Sequence, residues 1–203
     1  MILGIETATE VCSTALVHEG KVVMERSLNE KNIHSERLLM MIDDVLTKAS
    51  CPVKNLQAIA VSIGPGSFTG LRIGLSTAKG LALSCNIPLL AVPTLDGIAE
   101  SYRVTSEKGE KFCAMIDAKR NEVFYAFYSI QEDARRESGY SIAERDSIIQ
   151  QAQSRDAIVK QPKVSASSIA MLGEQRLKEF IVSDFSHLEP LYLRDFVTTT
   201  PKK

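Results

Sequence analysis

The segment from residue 61 to residue 74, Val-Ser-Ile-Gly-Pro-Gly-Ser-Phe-Thr-Gly-Leu-Arg-Ile-Gly, constrains the fold more than any other part of the chain. An apolar strand runs into a glycine turn, and the turn leads directly into a long helix. Gly64 and Gly66 allow backbone angles that a side chain would forbid, and Ser67 is placed as the N-cap of the helix. Backbone amides at such a turn can bind an anion. The segment therefore predicts either a phosphate site or only a tight strand-to-helix connection.

This glycine segment does not match the common nucleotide-binding motifs. No Gly-Lys-Ser/Thr sequence closes it, so it is not a Walker loop, and it lacks the Gly-x-Gly-x-x-Gly spacing of a dinucleotide fold. The motif alone leaves both alternatives open.

Small residues recur at every fourth position of the helix that follows. Gly70, Gly74, Ala78 and Ala82 lie on one helical face and leave a groove without side chains. A glycine inside a helix costs roughly 1 kcal/mol relative to alanine, so this face needs a close contact in compensation. Two contacts fit, namely the sheet of the same domain or a helix of another subunit. We expect Gly70, Gly74 and Ala78 to take part in a subunit interface.

A second amphipathic helix is predicted to begin at His34, upstream of the glycine segment. Its apolar residues follow a helical period: Leu38, Leu39, Ile42, Val45 and Leu46. We expect Leu38, Leu39 and Ile42 to extend the same interface. For His34 a capping or interface role is favoured over proton transfer, because no nucleophile pattern surrounds it.

Composition indicates an ordinary globular protein that does not bind nucleic acid by itself. Of its 203 residues, 44% are hydrophobic and 24% are charged, and the formal net charge is −1. No basic excess and no aromatic-basic patch is evident, so RNA is expected to reach the chain only through a partner. The four cysteines form no Cys-x-x-Cys pair, which predicts a cytoplasmic protein without structural disulfides. No apolar run approaches the ~20 residues that span a bilayer, and no membrane partner is expected.

The order of the predicted elements indicates two related halves. Three strands, a helix, a strand, a helix, a strand and a helix precede a polar linker at 105–111. After it, strands at 112–117 and 122–129 repeat the opening pattern of apolar strand, acidic residue, short turn and second strand. We predict an α/β fold of two mixed sheets flanked by helices. The domains are expected at 1–104 and 105–203, the second being abbreviated.

The remainder of the second half is less regular. It predicts a weakly patterned stretch at 131–145, a helix over 147–155, a strand at 158–159, a helix over 167–180 and an extended segment over 188–196.

Five motifs in chain order resemble those of the bacterial TsaB (YeaZ) family. They are Glu6-Thr7 followed by Ser13, and the segments 34–39, 64–74, 117–123 and 190–194. The resemblance spans nearly the whole chain. It implies the fold of the sugar kinase, chaperone and actin (ASKHA) superfamily, with two duplicated halves.

The resemblance also implies a function, in the synthesis of threonylcarbamoyladenosine beside the anticodon of tRNA. In that role the chain is a non-catalytic scaffold and activator of a TsaD-like catalytic subunit, with a TsaE-like ATPase in the complex. It is expected to form a homodimer when alone and to meet tRNA only through the complex. The resemblance further implies a weak nucleotide site at Glu6, Gly64, Gly66, Ser67 and Asp117. The chain itself requires no cofactor, and ATP or ADP is expected only in the complex.

The sequence departs from the catalytic relatives at the place of their metal ligands. TsaD-like relatives carry a His-x-x-x-His pair on a helix soon after the glycine loop, and Thr94 and Ile98 stand at these positions. Neither side chain can replace a histidine, and the three histidines of the chain lack ligand spacing. We expect no metal site and no catalytic residue. The alternative is a small-molecule kinase or ATPase of the same superfamily, which an ATP turnover assay would reveal.

Overall fold

The structure, a computed structural model, describes residues 1–30, 34–159 and 163–194. The elements of the first half are β1 (Ile2–Glu6), β2 (Cys12–His18), β3 (Lys21–Leu28), α1 (His34–Lys48), a 3₁₀ turn (Val53–Asn55), β4 (Ala58–Ser62), α2 (Phe68–Cys85), β5 (Leu89–Val92) and α3 (Thr94–Arg103). The elements of the second half are β6 (Lys111–Lys119), β7 (Glu122–Ile130), β8 (Ala134–Arg136), β9 (Ser141–Glu144), α4 (Arg145–Ser154), β10 (Ala157–Val159), α5 (Ala166–Gln175), α6 (Leu177–Phe180) and β11 (Ile181–Val182).

The two sheets repeat one pairing scheme. In the first sheet, with the order β11-β5-β4-β1-β2-β3, strand β1 pairs antiparallel with β2 and parallel with β4. In the second sheet, β6 pairs antiparallel with β7 and parallel with β10 in the same way. The predicted mixed α/β fold with duplicated halves is confirmed.

Helices cover both sheets and fill the space between them. Helices α1 and α2 pack on the outer face of the first sheet, and α4 packs on the outer face of the second. Helix α5 lies on the inner face of the first sheet and packs against α3, which lies on the second. One apolar core joins both sheets through these two helices, because Leu95 and Ile98 of α3 and Ile169 of α5 belong to the same buried cluster. The halves therefore share their largest core.

The chain returns to the first sheet near its C-terminal end. Strand β11 pairs antiparallel with β5, and α5 contacts β1, β2 and β4. The sheets divide between β5 and β6, but residues beyond 164 pack on the first sheet. The domain boundary placed between residues 104 and 105 stays a prediction.

Most of the predicted elements are confirmed, and the differences lie in the second half. The weakly patterned stretch 131–145 contains two short strands, β8 and β9, that both pair with β7. The single helix expected over 167–180 is instead two helices, since α5 ends at Gln175 and α6 begins at Leu177. Residues 188–194 have no regular secondary structure, and residues 195 and 196 lie outside the described residues.

The structure corrects part of the expected interface. Gly70, Gly74 and Ala78 are buried beneath the chain itself. A Cβ added at Gly70 would meet the carbonyl oxygen of Thr7, and one added at Gly74 would meet the hydroxyl of Thr7. The small-residue face thus packs on its own domain, and the prediction that it meets another subunit is wrong.

The apolar stripe of α1 is corrected in the same way for two of its residues. Leu38 and Ile42 are buried in the core under the first sheet, with exposed fractions of 1% and 3%. Leu39 faces outward with an exposed fraction of 60%. Only Leu39 of this predicted set remains available to a partner.

Two glycines of α2 give a matched test of this packing. Gly74→Ala is expected to destabilise the protein by about 1–3 kcal/mol, because the methyl group would collide with Thr7. Gly80→Ala is expected to stabilise it by up to about 1 kcal/mol, because its Cβ would enter open space and alanine favours a helix. Urea unfolding of both variants measures the two free energies, and equal effects of the same sign would contradict this packing.

Candidate functional site

The turn after β1 packs directly onto the glycine segment. The Thr7 hydroxyl donates a hydrogen bond to the Gly70 carbonyl oxygen at 2.8 Å, and the Ser67 amide donates to the Ala8 carbonyl oxygen at 2.7 Å. Gly66 lies so close to Ala8 that a Cβ would collide with it. The glycines at positions 66 and 70 are thus required by this close approach. Of the two readings of the segment, the tight strand-to-helix connection explains them without a ligand.

Two further hydrogen bonds join the turn to the start of α3. The Gly64 amide donates to Thr94 Oγ1 at 3.1 Å, and the Thr94 amide donates to the Gly64 carbonyl oxygen at 2.8 Å. Ser67 is the N-cap of α2, as predicted, and its Oγ accepts from the Gly70 amide at 3.3 Å. Binding of a nucleotide by Gly64, Gly66 and Ser67 stays a prediction.

Glu6 is completely buried beneath this turn. Its Oε1 accepts a hydrogen bond from the Ala8 amide at 2.7 Å, whereas its Oε2 and the nearby Ser62 hydroxyl make no hydrogen bond of normal geometry within the described residues. Burial raises the pKa of Glu6 from 4.5 to about 7, and the Ser62 hydroxyl and the amides of Ala8 and Thr9 only partly offset it. The carboxyl group therefore titrates near neutral pH while it holds the turn in place.

The pH dependence of stability follows from this pKa. Below about pH 4.5 Glu6 is protonated in both states, whereas between 4.5 and 7 only the unfolded state ionises, so the unfolding free energy falls as pH rises. The full loss is about 3 kcal/mol. Glu6→Gln keeps an acceptor for the Ala8 amide and is expected to remove this loss, so that its advantage over the parent grows between pH 4.5 and 8.

Chemical denaturation across this pH range measures the effect. Glu107→Gln, which removes an exposed carboxyl group, is the matched control. Parallel stability curves for the parent and Glu6→Gln would contradict the assignment.

Residues 188–194, which we call the covering segment, lie over the outer side of the glycine turn. The Leu191 amide donates to the Ile63 carbonyl oxygen at 2.7 Å, and a Cβ at Gly64 would meet the Leu191 carbonyl oxygen. Three residues further on, the Arg194 guanidinium pairs with Glu122 at the start of β7. The covering segment therefore connects the glycine turn of the first sheet to the β6–β7 hairpin of the second.

Asp117 occupies the corresponding place in the second half but a different environment. Its side chain is 66% exposed, and its Oδ1 accepts a hydrogen bond from Arg145 at 3.4 Å. The adjoining turn has positive φ at three successive residues, Lys119, Arg120 and Asn121, a region that non-glycine residues seldom occupy. The structure brings Glu6, Gly64, Gly66 and Ser67 together, whereas Asp117 lies in the hairpin across the covering segment. Its nucleotide role also stays a prediction.

The positions of the missing histidine pair have structural roles. Thr94 binds the glycine turn, and Ile98 lies in the shared core. Asp96, between them, accepts hydrogen bonds from the hydroxyls of Tyr128 and Tyr140 at 2.7 and 2.8 Å. Within residues 1–30, 34–159 and 163–194, no group of three His, Cys, Asp or Glu side chains is arranged to hold a metal ion.

His34 connects α1 to the same turn. Its Nε2–H donates to the Thr9 carbonyl oxygen at 3.2 Å, and the residue is half-buried. The ring thus anchors the beginning of α1, and an interface role for His34 stays a prediction.

Two features of the surface were not predicted from the sequence. One is a polar cleft of about 680 Å³ between α3, β8 and α6, with Asp96, Arg136 and Arg176 among its walls. The other is a cluster of one arginine and two aromatic rings, formed by Phe68, Arg72 and Tyr192. The spacing of Phe68 and Arg72 on one helix could have indicated their contact, but Tyr192 is 120 residues away from Arg72.

The repeated sheets, the helices between them and the turn after β1 docked on a glycine segment define a member of the ASKHA superfamily. A family model described as TsaD, tRNA N6-adenosine threonylcarbamoyltransferase, matches residues 22–186. The chain is 40% identical over 133 residues to the tRNA threonylcarbamoyladenosine biosynthesis protein TsaB of Escherichia coli, and this match covers 65% of the chain and 56% of that protein. It is 32% identical over 160 residues to the TsaB of Haemophilus influenzae, with coverage of 79% of the chain and 66% of that protein.

Solved structures agree with these relatives. YeaZ from Pseudomonas aeruginosa superposes with a TM-score of 0.77 at 27% identity, covering 95% of this chain and 99% of that one. The crystal structure of an uncharacterized Pseudomonas aeruginosa protein with similarity to peptidase YEAZ gives a TM-score of 0.79 at 25% identity, with the same coverage. The chain therefore belongs to the TsaB/YeaZ family, within the group that the TsaD family model describes. Its matches span 56% and 66% of the length of the two curated relatives.

Among the described residues, no helix is both long enough and apolar enough to cross a membrane.

Proposed function

We propose that the chain is a non-catalytic subunit in the synthesis of threonylcarbamoyladenosine on tRNA, and that it binds and activates a TsaD-like catalytic subunit. The two relatives are named as proteins of tRNA threonylcarbamoyladenosine biosynthesis, which supports the pathway. The non-catalytic role is supported by positions 94 and 98, where the catalytic relatives are expected to carry histidines. Here Thr94 bonds to the glycine turn and Ile98 packs in the core. A TsaE-like ATPase, ATP or ADP and tRNA belong to the proposed complex rather than to the chain alone.

The observation that carries this proposal is an outward face on the layer of α1 and α2. On α2, five exposed residues lie within one quarter of the helical circumference: Thr69, Arg72, Ser76, Gly80 and Leu83. Leu83 is 76% exposed, and Leu39 and Met40 of the neighbouring α1 are each 60% exposed. Apolar side chains exposed on adjacent helices are typical of an interaction surface.

Gly80 supports the same interpretation. A glycine inside a helix destabilises it by about 1 kcal/mol relative to alanine. No atom of the described residues lies within 4 Å of a Cβ built at Gly80, so packing within the chain does not explain the glycine. A partner helix that approaches closely would account for it. The proposed interface thus uses the opposite face of α2 from the one expected from the Gly70, Gly74 and Ala78 repeat. The homodimer expected of the isolated chain would use this same face.

Activity is expected only on mixing. The purified chain with synthetic threonylcarbamoyl-adenylate and unmodified tRNA should yield no modified nucleoside, whereas addition of the TsaD-like and TsaE-like subunits with ATP should yield it. Nucleoside chromatography measures the product. Product formed by the chain alone would contradict the non-catalytic role, and ATP turnover by the chain alone would favour the kinase alternative.

Charge introduced on the outward face should break the complex without unfolding the chain. Leu39→Arg and Leu83→Arg are expected to weaken binding to the TsaD-like subunit at least about tenfold, because each places an unpaired charge in an apolar contact. Val104→Arg, at a residue that is 63% exposed on the end of α3, is the matched control.

Calorimetry measures the affinities of these variants, and thermal melts check that all three retain the parent fold. Unchanged binding by both α1 and α2 variants would exclude this face.

The cysteines are all free, which is consistent with the cytoplasmic location that this role requires.

A further inference from the structure

Arg72 is exposed, yet its guanidinium is held in one place. The guanidinium carbon lies 3.8 Å from the centroid of the Phe68 ring, and Nε donates to the Tyr192 hydroxyl at 3.1 Å. The Tyr192 and Phe68 rings are in contact, with centroids 5.1 Å apart. Long arginine side chains usually lose conformational entropy when they bind, and here much of that entropy is already lost.

The binding edge of this guanidinium is not used by the described chain. Only Nε has an acceptor there, and Arg72 forms no ion pair among residues 1–30, 34–159 and 163–194. The first turn of α2 contains no acidic residue that could serve as its partner. A fixed, planar pair of terminal nitrogens matches the two oxygens of a carboxylate or a phosphate.

The position of Arg72 favours a protein carboxylate. The residue lies on the exposed face of α2 that continues through Ser76 to Leu83, and the polar cleft described above lies elsewhere, around Asp96. A free anion would meet a single arginine in open solvent, where water screens the attraction. A protein surface that covers Leu83 and Leu39 would instead exclude water around the pair and strengthen it.

We propose that Arg72, oriented by Phe68 and Tyr192, binds an Asp or Glu carboxylate of the TsaD-like partner through both terminal nitrogens. This inference rests on the proposed function and adds a charged specificity contact to its apolar interface. Phe68 and Tyr192 act as positioning residues. The covering segment, which carries Tyr192, is thereby part of the recognition surface.

Calorimetric titration of the TsaD-like subunit into the full chain, without nucleotide, tests the contact. Arg72→Gln is expected to weaken binding at least about tenfold. Arg72→Lys retains the charge but lacks the planar pair of donors, and should remain weakened at least about threefold. Arg135→Gln, at an exposed arginine of β8, is the matched control and should bind as the parent does.

Two further measurements separate positioning from simple charge. Tyr192→Phe keeps the ring contact and removes the hydroxyl that Nε uses, so its affinity should lie between those of the parent and Arg72→Gln. Raising the salt from 50 to 300 mM should weaken the parent complex more than the Arg72→Gln complex. Melting temperatures of the isolated variants show that each is folded.

The outcomes are distinct. If the parent chain forms no complex, the proposed function fails and this inference with it. If the parent binds and Arg72→Gln or Arg72→Lys binds equally well, the carboxylate contact is overturned while the proposed function stands. If Arg72→Gln weakens binding only when ADP is added, the guanidinium binds a nucleotide phosphate, and the carboxylate assignment is likewise overturned.

Discussion

The hydrogen-bonded contact between the turn after β1 and the glycine segment is the interaction on which the rest of the structure depends. The Glu6 carboxylate accepts a hydrogen bond from the Ala8 amide, and the Ala8 carbonyl oxygen accepts one from the Ser67 amide. The Thr7 hydroxyl donates to the Gly70 carbonyl oxygen. These bonds place α2 on the sheet, and the Thr9–His34 bond places the beginning of α1 beside it. Both helices of the proposed interface are thus positioned by four consecutive residues at the end of the first strand. A buried carboxyl group with a pKa near 7 lies at the base of this arrangement.

The fold could largely be predicted from the sequence because strand and helix periods are strong in the first half. The repeat was also visible, since an apolar strand followed by an acidic residue and a short turn occurs at Glu6 and again at Asp117. What the sequence could not supply was the return of the chain to the first sheet. The two residues of β11 pair with β5 through backbone hydrogen bonds, and such a short strand has no periodicity to detect.

The candidate site was predictable in part, and the errors have a common physical cause. Helix α2 carries small residues on two faces, one through Gly70 and Gly74 and the other through Ser76 and Gly80. Periodicity alone does not show which face meets the sheet, because the contact depends on Thr7, which is far away in sequence. In the same way, Arg72 gains its fixed orientation from Tyr192, which no local pattern connects to it.

The covering segment sets a limit on how far the two halves can separate. Leu191 is bonded to the first sheet through Ile63, and Arg194 pairs with Glu122 in the second. Three residues of extended chain reach at most about 10 Å. As long as both anchors hold, the covering segment limits the distance between the glycine turn and the β6–β7 hairpin. It thereby sets the maximum separation of the two sheets at this edge. Any hinge motion of the halves that keeps both anchors must therefore leave this edge closed.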